Sequence, residues 1–562
     1  MKVVIVGGVA CGAKTAARLA RICPEAEITM LERGQDLSYS NCGFPFYIGG
    51  EVANASALTH MGFGAARDAD YFEKYSFTHA LTGHNAVRID RAKKNVVVHL
   101  AATGEERLFP YDKLVLATGA SPIVPNIPGA SQTGGCLGNV FTLWTLQDAL
   151  AIRGAIEKNN LKKAVVVGAG LVGIETAEML RKRGLDVSLI DMLPLPLMAL
   201  AGEEGGIRLS DYLGKKGILF YGGETVTALE GDSCVQKIIT DKREIEADLV
   251  ILSIGVRPNV GLAQDAGLEM GKKAIRVNEF MQTSDPDIYA GGDCVESRCI
   301  ISGEFVWQPM GSAANRQGRV IADHIAGLNS RFSGVERTAI ARVFDWTIGK
   351  TGLTMEEAVG TGFSPVQMLI TAPDIPGFMP GSAPLFIRMI ADKGTRRILG
   401  AQVSGPGKAD KRLDVLATAI KGNLTIDDLA DVDFAYAPPF STALDAVTHA
   451  SNALRNKCEG LVQSYSPVEL HTKADNNENF IVLDVRTLAE IDLLGKLPYS
   501  YIHIPLGELV KRINEIPRDR EVVILCKVGG REWITYTHLK RSGYTKIAIL
   551  EGGILAWPYE RA

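Results

Sequence analysis

The sulfur chemistry of this 562-residue sequence centres on Cys42, within Ser38-Tyr39-Ser40-Asn41-Cys42-Gly43-Phe44-Pro45. Nine cysteines are scattered through the chain, and none lies within ten residues of Cys42 on either side. It therefore has no partner at the spacing of a local redox disulfide and must react with something that comes to it. Cys42 follows Glu32, the carboxylate closing a strand after a glycine turn, by ten residues. That spacing sets a sulfur nucleophile beside a bound dinucleotide. A second candidate is Cys526, in Cys526-Lys527-Val528-Gly529-Gly530-Arg531. The buried strand Val522-Val523-Ile524-Leu525 runs into it, and a helix follows through Lys540. Backbone N–H donors, Arg531 and the helix dipole at that point all favour a thiolate. Sulfur transfer and phosphate-ester cleavage both use such a cradle. Four residues separate Cys526 from Arg531, one fewer than a loop wide enough for phosphate, so the spacing favours a persulfide. The plain alternative is a buried structural cysteine.

The elements that must position these thiols read as nucleotide-binding units. Lys2–Val6 is a strand, Gly7-Gly8-Val9-Ala10-Cys11-Gly12 a turn, 13–22 a helix, and a second strand ends at Glu32. Gly7 makes the tight turn, Gly12 lets helix and strand pack closely, the helix N-terminus faces a pyrophosphate, and Glu32 can hold a ribose hydroxyl. The motif is imperfect, because Val9 stands where the middle glycine belongs. Its echo is complete. Ala164-Val165-Val166-Val167 leads into Gly168, Gly170 and Gly173, with Asp191 eighteen residues after Gly173. Asp191 accepts from a free 2′-hydroxyl and repels a 2′-phosphate, and 192–200 contains no lysine or arginine, so NADH is expected over NADPH.

Lys14, Arg18 and Arg21 are four and three residues apart and share one helix face. They are a solvated face or a phosphate-binding stripe. A strand ends at Thr118-Gly119, an extended link follows through Gly129, and 251–259 returns the chain past Gly255 toward the first unit. Another strand ends at Gly291-Gly292-Asp293. Residues 309–328 read as a helix and 335–450 as an α+β block, with Tyr436-Ala437-Pro438-Pro439-Phe440-Ser441 too proline-rich for a helix or central strand. The fold class expected is α/β, with two Rossmann-like dinucleotide-binding domains, an α+β dimerisation domain and a C-terminal α/β domain.

Composition narrows the rest. The length suits three or four domains. A net charge of −4 gives no case for nucleic acid or a membrane surface. The odd, irregular cysteines fit a reducing cytoplasm better than a disulfide scaffold. The apolar N-terminal run is too short for a signal peptide, and no run of about 18 apolar residues suggests a membrane span. No metal site is expected.

Taken in order, the two glycine turns, the Cys42 stretch, Gly291-Gly292-Asp293, Tyr436-Ala437-Pro438-Pro439 and the Cys526 loop resemble the pyridine nucleotide-disulfide oxidoreductases over about 450 residues. They are most similar to the coenzyme A-disulfide reductase branch fused to a C-terminal rhodanese domain, also described as NADH-dependent persulfide or polysulfide reductases. The resemblance implies an FAD-binding domain over 1–120 and 255–330, an NADH-binding domain over 121–254, a dimerisation domain over 331–451, a linker over 452–465 and a rhodanese domain over 466–562. It implies FAD at Gly7, Gly12, Glu32, Arg33, Thr118, Gly119, Gly255 and Asp293, and NADH at Gly168, Gly170, Gly173 and Asp191. It makes Cys42 the redox cysteine, and Lys14, Arg18, Arg21, Ser38 and Asn41 contacts for coenzyme A, either substrate or bound cofactor. It further implies a homodimer in which Tyr436 reaches the other subunit's active site, and a rhodanese site at Cys526 and Arg531. The substrates implied are coenzyme A disulfide, its persulfide, and inorganic polysulfide or other sulfane sulfur. The chain departs from the branch at Phe378 and Met379, where tyrosines are usual, and Phe440 lacks a hydroxyl. The alternative is an NADH oxidase or peroxidase cycling Cys42 through a sulfenic acid. Such relatives place a histidine in the first glycine turn, and this turn has none.

Overall fold

The computed structural model describes residues 1–131 and 135–562 and divides into two compact units, 1–192 with 217–335, and 193–216 with 336–562. In the first unit, the apolar run Lys2–Val6 is the centre of a five-stranded parallel sheet. Its order is Ile288–Ala290, Lys113–Leu116, Lys2–Val6, Glu27–Leu31, Thr78–Leu81. Val3, Ile5, Leu114 and Val115 have no exposed surface, as expected for strands covered on both faces. The expected echo is real. Lys163–Val167 is the centre of a second parallel sheet, ordered Val140–Thr142, Leu249–Leu252, Lys163–Val167, Asp186–Asp191, Ile218–Gly222. Each sheet is accompanied by a three-stranded antiparallel meander, His84–Pro110 in one case and Val226–Glu246 in the other. The links between them, Ala120–Pro122 and Val256–Pro258, pair antiparallel.

The second unit holds a five-stranded antiparallel sheet, ordered Ala339–Val343, Trp346–Gly352, Ile398–Gly405, Pro384–Asp392, Pro365–Pro373. It also holds a five-stranded parallel sheet, ordered Ser464–Tyr465, Ile547–Leu550, Glu521–Leu525, Phe480–Asp484, Tyr501–His503. Two expected boundaries are corrected. Residues 193–216, expected within 121–254, pack with the second unit. There the helix Met198–Lys215 is tied by Glu204 to Arg388 at 2.5 Å, and the Gln402 amide donates to the Leu200 carbonyl. The expected linker over 452–465 is helical through Cys458, because Ala446–Cys458 is one amphipathic helix capped by Asp445. Among the described residues, no helix is long and apolar enough to cross a membrane, and no group of three or more His, Cys, Asp or Glu side chains could hold a metal.

Pro365–Pro373 is an edge strand, whose outward N–H groups would otherwise stay bare. The C-terminal sheet covers it. Glu551, with no exposed surface, accepts from the Leu369 N–H, the Ser464 hydroxyl and the Lys457 ammonium at 2.8, 2.7 and 2.6 Å, and the Thr371 hydroxyl donates to the Gly552 carbonyl. Glu551→Ala leaves a half-buried ammonium and a backbone N–H without their acceptor, at a cost of about 3–5 kcal/mol. Calorimetry of the variant should show the C-terminal domain melting in a separate, earlier transition, and a single transition at the wild-type temperature would contradict this.

Candidate active site

Both glycine turns are built on the same close approach. A Cβ at Gly12 would lie 1.8 Å from the Gly7 carbonyl oxygen, and one at Gly173 would lie 1.8 Å from that of Gly168, so helix and strand meet only through glycine. Gly7 and Gly168 sit at φ +106° and +105°, where side chains are strained. The carboxylates after each second strand close the turns in the same way. The Gly8 N–H donates to Glu32 at 2.8 Å, and the Ala169 N–H to Asp191 at 2.6 Å. Glu32 also accepts from the Gly34 N–H, beside the exposed Arg33.

These residues fit the two dinucleotides. A Cβ at Gly170 would meet nothing within 4 Å, so the space before the helix Leu171–Lys182 is open, as a pyrophosphate at that N-terminus requires. In the first unit, burial pushes the Asp293 carboxyl up to about 6, the behaviour of an acid that lacks donors until a ligand hydroxyl arrives. Gly119 and Gly255 are held at φ +67° and +111°. Thr118 is tied by its hydroxyl to the Asn259 carbonyl at 2.6 Å, and the Asn259 amide donates back to the Thr118 carbonyl at 2.8 Å. Gln317 accepts from the Gly292 N–H at 2.8 Å and so orients the turn bearing Asp293. Asn259 and Gln317 carry no sequence signal, since their partners are distant in the chain.

Cys42 is exposed, on the single helical turn Asn41–Gly43 that leads into the helix Phe44–Gly49. The loop is hung from the first nucleotide turn, because the Ser38 N–H donates to the Gly8 carbonyl at 2.9 Å and Ser38 takes a left-handed φ of 47°. Asn41 accepts a long contact from the Cys42 thiol at 3.6 Å. Arg67 donates to the Ser40 hydroxyl and the Leu58 carbonyl, fixing the loop from the other side. The helix Phe44–Gly49 is clamped to the second nucleotide-binding sheet and its helices. Arg153 lies over the Tyr47 ring and donates to its carbonyl, and Arg183 donates to the Ile48 carbonyl. The thiol is thereby set between the two nucleotide turns. Partial burial raises its pKa, and the charges of Glu175 from the second turn's helix and Asp293 beside the first raise it further.

The basic stripe is partly structural. The Arg18 Nε donates to the buried Asp323 at 2.7 Å, pinning the helix Cys11–Ile22 against Gly311–Ile325. Lys14 is half-buried on the same face and Arg21 is exposed. Tyr436 is exposed, in the second unit, on the irregular stretch before the helix at 446.

Cys526 ends the strand Glu521–Leu525 at 1 % exposure, and the Gly529 N–H donates to its sulfur at 3.1 Å, so the cradle of donors exists. Burial and the Glu532 carboxyl raise its pKa, while the backbone N–H groups of Gly529, Val528 and Glu532 lower it. The Arg531 guanidinium makes two hydrogen bonds to Glu490, at 2.8 and 2.7 Å, and also acts on the Cys526 sulfur. Hydrogen bonds from Arg531, with the Thr487 N–H, hold Glu490 down to about 2. A depressed carboxyl contributes stability above its unfolded value of 4.5, and loses it as pH falls toward 2. In thermal melts, wild type should exceed Glu490→Gln at about pH 7, and the gap should narrow by about pH 3. A gap of equal size at both pH values would exclude this contribution.

The family model described as pyridine nucleotide-disulphide oxidoreductase matches residues 1–317, its dimerisation domain matches 338–447, and a rhodanese-like domain matches 466–559. An NADH oxidase of Methanocaldococcus jannaschii is 34 % identical over 80 % of this chain and 98 % of its own length. A CoA-dependent NAD(P)H sulfur oxidoreductase of Pyrococcus furiosus is 35 % identical over 81 % of this chain and 99 % of its own. Among solved structures, a NAD-dependent persulfide reductase from A. fulgidus superposes with a TM-score of 0.93 at 38 % identity, covering 99 % of this chain and 100 % of that one. The reduced CoADR-RHD of Bacillus anthracis superposes at 0.92 and 35 % identity, covering 99 % and 97 %. With its nucleotide turns, lone thiol and C-terminal cysteine loop in place, this chain belongs to the pyridine nucleotide-disulfide oxidoreductases and is a flavin- and NAD(P)H-dependent oxidoreductase acting on sulfur, joined to a rhodanese domain.

Proposed function

We propose that this enzyme, a cytoplasmic homodimer, uses NADH to reduce coenzyme A persulfide, or coenzyme A disulfide, at Cys42, while Cys526 handles sulfane sulfur from polysulfide or another donor. The observation that carries the reading is the exposed Cys42 thiol, which feels the charges of Asp293 and of Glu175 in the helix after the second nucleotide turn. Gly7, Gly12, Glu32, Arg33 and Asp293, with Thr118, Gly119 and Gly255, would hold FAD; Gly168, Gly170, Gly173 and Asp191 would hold NADH. Lys14, Arg18 and Arg21 would meet the phosphates of coenzyme A, with Ser38 and Asn41 beside the sulfur.

The Cys42 thiolate attacks the inner sulfur of the persulfide. That S–S bond breaks, hydrosulfide leaves, and a mixed disulfide between Cys42 and coenzyme A forms. When bound, FAD and NADH supply the two electrons that, with one proton, return it to the Cys42 thiolate and free coenzyme A. Tyr436 of the partner subunit protonates the departing thiolate. A thiol of raised pKa is the stronger nucleophile once ionised, which suits attack on a polarisable sulfur.

NADH-dependent sulfide release from coenzyme A persulfide should fall more than about a thousandfold in Cys42→Ser, as for loss of a nucleophile elsewhere. An undiminished rate would end the proposal. Turnover of peroxide faster than of any persulfide would instead favour the oxidase reading suggested by the Methanocaldococcus relative's name. Wild type should prefer NADH to NADPH by at least about tenfold in kcat/KM, and Asp191→Ala should shrink that ratio.

A further inference from the structure

We infer that Glu532, sealed beneath the Cys526 loop, is the acid–base group that takes the Cys526 proton before sulfur transfer and returns it to the departing thiol. The inference rests on reading Cys526 as the carrier of sulfane sulfur. Glu532 lies in the first turn of the helix Gly530–Arg541 and has no exposed surface. Its Oε1 accepts the Cys526 N–H at 2.6 Å. Its Oε2 is buried and has no hydrogen-bond partner among the described residues. A carboxyl with one bonded and one bare oxygen, shut away from water, is poorly built as a permanent anion and well built to gain and lose a proton.

The surrounding charges mostly have partners of their own. Asp484, at the end of the neighbouring strand, is held by the Arg486 guanidinium at 2.6 Å and by the Tyr501 hydroxyl at 3.2 Å. His503 on the next strand is bonded to the Arg486 carbonyl. Arg531 is engaged with Glu490. Lys527, in the loop itself, is exposed. The Arg531 charge favours the Glu532 carboxylate only in part, and the Cys526 and Glu532 side chains act directly on one another, with burial the largest influence and raising the Glu532 pKa.

Two such groups in one buried place carry at most one negative charge between them. The proton can sit on Glu532, leaving a Cys526 thiolate that receives the Gly529 N–H. That thiolate attacks the outer sulfur of a persulfide RS–SH, forms Cys526–S–SH, and breaks the RS–S bond. The leaving RS⁻ takes the proton from Glu532 and departs as RSH. Charge within the pair is conserved throughout, so no net charge is created in the buried site.

The test loads FAD-containing, full-length enzyme with cysteine persulfide in the absence of NADH, and follows added sulfur on the Cys526 peptide by mass spectrometry between about pH 6 and about pH 10. Wild-type loading should rise with pH through the titration of the Cys526–Glu532 pair. Glu532→Gln keeps an oxygen for the Cys526 N–H. It should move the rise to higher pH and slow loading at about pH 7.5 by at least about tenfold, the cost of losing an acid–base group. If the Glu532→Gln enzyme loads with an unchanged rise and rate, Glu532 is only a structural acceptor and the inference is overturned. If wild type takes up no sulfur at Cys526 at any pH, the sulfur-carrier reading itself fails. Should the variant not fold, alkylation of wild-type Cys526 by iodoacetamide decides. A rise in a single step overturns the inference, and a rise in two steps, as for two groups that share a proton, supports it.

Discussion

Two carbonyl oxygens, those of Gly7 and Gly168, leave no room for any side chain at Gly12 and Gly173. Everything in the first unit depends on that contact. It lets each helix sit hard against its strand, which aims the helix N-terminus at a phosphate and brings the closing carboxylate, Glu32 or Asp191, within hydrogen-bonding distance of the turn. The redox loop hangs from the same turn through Ser38 and Gly8, so the position of Cys42 is an extension of nucleotide-turn geometry. A shift of the first helix would move the phosphate site and the thiol together.

What is legible in the sequence follows from this locality. Strand, glycine turn, helix and closing carboxylate are neighbours in the chain, and so are Cys526, its glycine pair and the helix after it. Their residue types and spacing therefore show through. The second unit's surprises are non-local. That 193–216 joins it depends on Glu204 meeting Arg388 and on the Gln402 amide reaching Leu200, contacts that span almost two hundred residues. Asn259 and Gln317 hold Thr118 and the Gly292 turn through partners that are remote or give no pattern. The linker differs for another reason. The stretch after residue 451 is polar, but a helix begun at the Asp445 cap continues through it because its inner face, with Ala450 and Leu454, is buried. At Cys526 the non-local part is Glu490, which binds Arg531 from the first turn of a helix that carries no signal for that role.

The two thiols solve opposite problems. Cys42 must admit a bulky guest, so it is exposed, and its pKa is raised by partial burial and by carboxylates from both nucleotide turns. Cys526 is buried, and the Gly529 N–H donates to its sulfur. For Cys526, the balancing group is built in as an acid, one residue beyond the arginine that the motif advertises.

The joint between the antiparallel sheet and the C-terminal domain bears on how that buried thiol is used. Glu551 satisfies an edge-strand N–H, a hydroxyl and an ammonium at once, and Thr371 adds a bond to the adjoining Gly552 carbonyl. Such contacts are satisfied in only one geometry, and buried polar groups of this kind select an orientation more than they add affinity. Gly552 and Gly553 lie at this joint, and the Ile554 N–H donates to the Cys526 carbonyl at 2.9 Å. The segment that docks the domain thus also supports the back of the reactive loop. Undocking would disturb the cradle around Cys526 as well as the domain's placement, so a rocking domain is a poor vehicle for sulfur. A thiol that enters, takes the sulfur and leaves asks nothing of this joint.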